Sequence, residues 1–178
     1  MKTSRLLLFT AATLLAISKA ASAAPDIVAC DLLDEPAISA LIGVKTKPDS
    51  NRYKEVFDGV KISNCMFRSE RQSVMVTLAE YSSNADANKS YMLARKETAK
   101  AKTIDNVKIQ YAVDDENALG DKAYWYRLAS EQFGLTAIKG NRGLTINIHF
   151  DDEATGTQTI PRLKERSRPL LQAALRKI

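Results

Sequence analysis

The chain predicts an α+β domain: a mainly antiparallel sheet of about six strands packed with three helices, in the order helix, strands, helix, strands, helix. Three observations carry that reading. Segments of period-two alternation follow one another through short polar turns, which is the pattern of hairpins in series. Stretches with apolar residues three and four apart lie before, between and after them, which is the pattern of helices. No linker long or polar enough to divide residues 24–178 interrupts the order, so they form a single domain with a sizeable core.

The first 23 residues stand outside that domain. Lys2 and Arg5 precede an uninterrupted apolar run, Leu6 to Ile17, and Ala21-Ser22-Ala23 supplies the small-x-small pattern that signal peptidase reads before Ala24. The run extends only about 18 Å as a helix, short of the ~30 Å hydrocarbon core, so no transmembrane span is expected. A cleaved Sec-type bacterial signal peptide follows, and with it a periplasmic or secreted address. Cleavage removes three cations, Lys2, Arg5 and Lys19, and no acids, so the net charge falls from +5 to +2. That modest charge, in an exported protein, gives no case for nucleic acid as a partner.

Cys30 and Cys65 are the two cysteines of the sequence, and both lie beyond the leader. In an oxidising compartment they pair as a structural disulfide, and closing that loop is worth about 3 to 4 kcal/mol in the chain-entropy model. Ile27-Val28-Ala29-Cys30 also has the form of a lipoprotein cleavage box. The polar, proline-containing stretch from Ser18 to Asp26 separates it from the apolar run, so a lipid anchor is not expected.

The elements follow in order. Asp34 caps a helix with Pro36 in its first turn and Leu33 placed to staple onto Ile38; Ile38, Leu41 and Ile42 form its buried stripe and Gly43 ends it. A polar connection then leads to a short strand near Tyr53 to Phe57. Val60 to Arg68 and Ser73 to Tyr81 form a hairpin, with Val74, Val76 and Leu78 on one face. Ala85 to Thr103 switches to helical spacing, with a stripe of mostly small residues, Ala87, Tyr91, Ala94, Thr98 and Ala101, that suits close packing on a sheet.

Val107, Ile109, Tyr111 and Val113 alternate as one further strand, and Asp114 to Asn117 reads as an acidic turn. Lys122 to Leu128, Phe133 to Lys139 and Leu144 to Phe150 make a meander, the last two joined by Gly140-Asn141-Arg142-Gly143. The C-terminal segment is expected to be helical in two pieces, because Pro169 breaks continuity.

Few residues carry specific chemistry. His149 is the only histidine, which excludes multi-histidine metal sites; on the polar face of its strand it is a solvent-facing residue or, beside Asp151, a candidate base or ligand contact. The acidic clusters Asp114-Asp115-Glu116 and Asp151-Asp152-Glu153 lack the spacing of a calcium loop, so no metal and no cofactor is expected. Tyr124-Trp125-Tyr126 concentrates aromatic surface in one strand, with the ring of Trp125 opposite both tyrosines. One side is then core and the other is the best candidate for a ligand or partner platform. The basic C-terminal residues Arg162, Lys164, Arg166, Arg168, Arg176 and Lys177 form either a wetted helix face or a patch for an acidic partner or anionic lipid.

Ala29-Cys30-Asp31-Leu32-Leu33 before a short helix closed by Ile42-Gly43, then Asn64-Cys65-Met66-Phe67, resembles the opening of small exported bacterial domains of unknown function, many of them lipoproteins. Leu119 to Trp125, Leu135 to Asn141 and the C-terminal helix are similar to their second half. The resemblance implies a PsbP-like α/β sandwich with an accessory or binding role. It carries over no catalytic residue.

Function therefore reads first as an exported, soluble, non-catalytic binding or accessory protein, with Tyr124, Trp125, Tyr126 and His149 as candidate contacts for an unknown protein or a small-molecule envelope ligand. The alternatives are an envelope hydrolase using carboxylates such as Asp121 or Asp151, and an inhibitor or immunity protein against a secreted enzyme.

Overall fold

The computed structural model describes residues 27–48, 53–100, 102–104, 107–128, 131–151 and 153–178, with the side chains of 53, 102–104, 107 and 153–161 excepted. The signal peptide expected over Met1 to Ala23 lies outside the described residues.

The chain folds as an α+β domain, with more strands than the sequence reading counts. A single-turn helix α1 (Ala29–Leu32) precedes the capped helix α2 (Glu35–Ile42). Asp34 accepts from the Ala37 amide at 2.9 Å, and Gly43 ends the helix at φ +79°, a left-handed geometry that glycine adopts without a Cβ penalty. Strands β1 (Lys47–Pro48), β2 (Tyr53–Phe57), β3 (Val60–Arg68) and β4 (Gln72–Glu80) follow. Helix α3 (Asn84–Ala99) leads to β5 (Lys102–Ile104), β6 (Val107–Ile109), β7 (Ala112–Glu116), β8 (Lys122–Leu128), β9 (Gln132–Lys139) and β10 (Arg142–Phe150), and α4 (Glu153–Lys177) closes the chain.

The main sheet runs β1-β3-β4-β10-β9-β8-β7, with β2 also on β3, and all its pairings are antiparallel. The last strand inserts beside β4, in register from Arg142 opposite Glu80 to Phe150 opposite Gln72. Two local hairpin units are thereby joined at their centre by a long-range pairing.

Strand alternation sorts side chains into two faces. Val74, Val76 and Leu78 of β4, with Leu144, Ile146, Ile148 and Phe150 of β10, are buried beneath α1, α2 and α4. Leu163, Leu171, Ala174 and Leu175 of α4 complete that core. Each fully buried Leu or Ile contributes about 1.5 to 3 kcal/mol relative to exposure, so this one face holds most of the fold's driving force. A smaller cluster on the opposite face joins Tyr91 of α3 to Tyr124, Tyr126 and Ile138.

The structure corrects four sequence expectations. The middle helix stops at Ala99 rather than Thr103, because Thr103 and Ile104, both β-branched, pair into the small β5-β6 ribbon. The alternation from Val107 to Val113 spans two strands, β6 returning to β5 and β7 pairing with β8. Asp114 to Glu116 belong to β7, not to a turn. The C-terminal helix is one piece: Pro169 lies on its exposed side, while Leu163, Ser167 and Leu171 hold the other side against the core, so packing outweighs the lost hydrogen bond.

Cys30 of α1 and Cys65 of β3 form a disulfide with their Cα atoms 5.1 Å apart. The Ala29 amide donates to Ser63 Oγ at 3.0 Å beside it, so the opening helix is fixed to the sheet covalently and by hydrogen bonding. Among the described residues no helix is long and apolar enough to cross a membrane.

Candidate functional site

On the second face of the sheet, α3 touches down over half its length. Ala87 and Tyr91 are buried against the strands, whereas Ala94, next in the same stripe, is exposed and Thr98 is half-buried. The first half is tied by Tyr81 Oη to Ser90 Oγ at 3.0 Å. Beyond it, Arg95 clamps Asp115 of β7 through two hydrogen bonds at 2.7 and 2.9 Å, and that guanidinium holds the Asp115 carboxyl below its ordinary value. Between the C-terminal half of α3 and the sheet a groove of about 460 Å³ remains open.

Its floor is aromatic. Tyr91, Tyr124, Tyr126 and Tyr111 form a chain of ring contacts, with centroids 5.4, 6.0 and 5.9 Å apart, and two of the three contacts are edge-on. Tyr111, Tyr124 and Tyr126 line the groove with Ile109, and Thr136 and Thr145, whose hydroxyls are 3.2 Å apart, add polar groups. The ring of Tyr126 lies across Gly134 on the neighbouring strand. A Cβ at Gly134 would collide with that ring and stand 2.7 Å from the Ile146 carbonyl oxygen, so only glycine admits the ring here.

Burial raises the Tyr126 phenol well above its ordinary value, and neighbouring Tyr124 and Tyr111 add to the shift. Burial likewise pushes Tyr91 up to about 12 and raises Tyr111. These phenols therefore stay protonated at neutral pH and serve as hydrogen-bonding groups on an apolar surface. Tyr111 donates to Gln132 Oε1 at 2.6 Å, and Gln132 donates to Asn147 Oδ1 at 2.7 Å, so the groove continues into an ordered polar row.

The aromatic strand is corrected in one respect. All three of Tyr124, Trp125 and Tyr126 are buried, so none forms an exposed platform. Trp125 does point opposite the tyrosines, into the main core, stacked on Phe133 at 5.4 Å. Its Nε1 donates to Glu116 at 3.1 Å, and Lys164 lies 6.0 Å from its ring centroid. Tyr124 and Tyr126 instead underlie the groove.

His149 shares the tyrosines' face but sits four residues along β10 from Thr145, about 13 Å at strand spacing, and stays outside the groove. Its Nε2 is 3.7 Å from Asp151 Oδ1, with both side chains exposed.

Among the described residues, the carboxylates considered for catalysis, Asp121 and Asp151, and those considered for a cation have partners. Asp121 accepts from the Gly140 amide at 2.7 Å. Asp114 faces Lys164 at 3.8 Å, Asp115 is clamped by Arg95, and Glu116 is bonded by Arg168 at 2.6 Å, by Trp125 and by the Ala118 amide. The side chains of Asp152 and Glu153 lie outside the described residues. The groove itself was not legible in the sequence; the faint signal is the small-residue stripe, which continues past the point where the helix leaves the sheet.

Fold and site together define a disulfide-tethered α+β domain with a tyrosine-floored, ligand-sized groove. No protein-family model matches the chain, and no curated protein matches it. Among solved structures it is similar to the extracellular domain of PknH from Mycobacterium tuberculosis, at 10% sequence identity and a TM-score of 0.46, over 76% of this chain and 94% of that one.

Proposed function

We propose that this chain is an exported, soluble, non-catalytic binding domain whose ligand occupies the tyrosine groove. The observation that carries the reading is the groove: ring faces and edges beneath, threonine hydroxyls along one wall, and a volume within the range of small-molecule sites. Such a lining suits a ligand with a flat apolar face and a few hydroxyl groups. Support for export comes from the leader pattern of Met1 to Ala23 and from the Cys30–Cys65 pair, since disulfides persist in oxidising compartments such as the periplasm. Protonated tyrosines and carboxylates engaged in ion pairs and turn contacts favour binding over hydrolysis at this face.

The test is native mass spectrometry of protein recovered from its own compartment, alongside Ala94→Trp. Ala94 is exposed on the groove wall, so an indole there fills the space without disturbing the core. The expected spectrum shows a chain beginning at Ala24 with a small-molecule adduct, and the variant lacks the adduct. An adduct that survives Ala94→Trp, or a wild-type chain without one, refutes the assignment.

A further inference from the structure

The geometry points to a second site, for a phosphate-bearing small molecule, in the cavity where α2, α4 and the β3–β4 turn meet. It lies on the helix-covered side of the sheet, away from the tyrosine groove, and does not depend on it. The cavity measures about 670 Å³, larger than a bare phosphate needs and within the range of small-molecule sites. Lys45, Arg71, Arg162 and Arg166 line it, with Glu70 as the facing carboxylate. None of these four cations has an ion pair among the described residues.

The basic residues of α4 divide by helical phase. Lys164 faces Asp114 and the Trp125 ring, and Arg168 bonds Glu116. Two residues along a helix turn the side chain by about 200°, so Arg162 and Arg166, four apart, share another face, directed at the cavity. Like charges at that spacing repel, and an anion held between them removes the penalty. Guanidinium forks match phosphate oxygens two at a time.

An independent observation comes from Gln72. It occupies the strand position in phase with Val74, Val76 and Leu78, is 3% exposed, and lines this same cavity. Its Oε1 is buried without a hydrogen-bond partner among the described residues. A buried, unpartnered amide end is costly, and an apolar residue at this position would avoid the cost. Because the two ends of the amide exchange by a half-turn, Gln72 offers either an N–H to an oxyanion or an acceptor to a hydroxyl. A phosphate ester of a polyol, such as glycerol phosphate, has both groups.

The purified chain is titrated with inorganic phosphate and with glycerol phosphate while its melting temperature is followed, using sodium chloride at matched ionic strength as control. The expected result is a saturable rise of several degrees with the phosphates alone. Arg162→Gln with Arg166→Gln, both exposed positions, weakens binding about tenfold or more. Gln72→Leu raises the melting temperature of the unliganded protein and weakens phosphate several-fold, whereas a merely misplaced core amide would leave phosphate affinity unchanged.

Vesicles containing phosphatidic acid form a second arm. Retention abolished by the double arginine variant assigns the phosphate to a lipid headgroup, and response to glycerol phosphate without retention assigns it to a soluble ester. A rise reproduced by chloride, no response to any of these probes, or a phosphate affinity unchanged in the arginine and Gln72 variants overturns the site.

Discussion

Glu116 shows how one residue changes meaning between sequence and structure. In sequence it ends an acidic run that reads as a solvated turn; in the fold it is buried at the junction of β7, β8 and α4. Burial pushes its carboxyl up, but Arg168, the Trp125 indole and the Ala118 amide outweigh that and hold it at about 2, against an ordinary 4.5. A folded value below the unfolded one stabilises the fold fully above about pH 4.5, and the contribution fades as pH falls from there towards 2. Glu116→Gln is therefore expected to lower unfolding stability by about 1–3 kcal/mol at neutral pH, with the gap narrowing below pH 4.5. Urea unfolding of both proteins across pH 7 to 2 measures this, and a gap that stays constant with pH contradicts it.

Among the elements, α3 and α4 each depart from local rules for a tertiary reason. The stripe of α3 is continuous in sequence, yet within it only Ala87 and Tyr91 are buried on the sheet, and the groove over Tyr111, Tyr124 and Tyr126 opens beside Ala94 and Thr98. In α4 the pyrrolidine of Pro169 removes an amide donor in mid-helix. Ser167 Oγ donates back to Leu163 O at 2.5 Å, which leaves the Glu165 carbonyl that Pro169 cannot serve unaided, and the buried side anchors both halves. Replacing this proline relieves a cost with no packing loss, since it is exposed. Pro169→Ala is expected to raise stability by about 1 kcal/mol or more, read as a higher denaturant midpoint with unchanged slope. A lower midpoint means that the proline is preferred where it sits.

For the whole molecule, the disulfide joins α1 to the ribbon of β3 and β4, and β4 carries β10, so the tether secures the start of the chain to the centre of the sheet. Replacing both Cys30 and Cys65 with alanine is expected to cost about 2–4 kcal/mol in unfolding free energy, because the freed loop enlarges the unfolded ensemble. Equal stability of the two forms in denaturant titration contradicts that role.

The hairpin β3–β4, the meander β8-β9-β10 and the capped helix α2 were legible in the sequence, since period, turn residues and caps are local signals that the fold leaves intact. The two tyrosines that underlie the groove were also legible as a concentration of aromatic surface, and alternation alone separated them from Trp125. Their burial, the partners of the acidic residues, and the union of Arg162, Arg166, Arg71 and Lys45 around Gln72 were not. By itself the sequence determined the main helices and strands, though not all their ends or the small β5-β6 ribbon, and which faces are apolar, because those depend on neighbours within a few residues. Only the tertiary structure decided where a face is covered and where a helix stands off, because cavities and ion pairs form between segments distant in the chain, whose separation is set by packing.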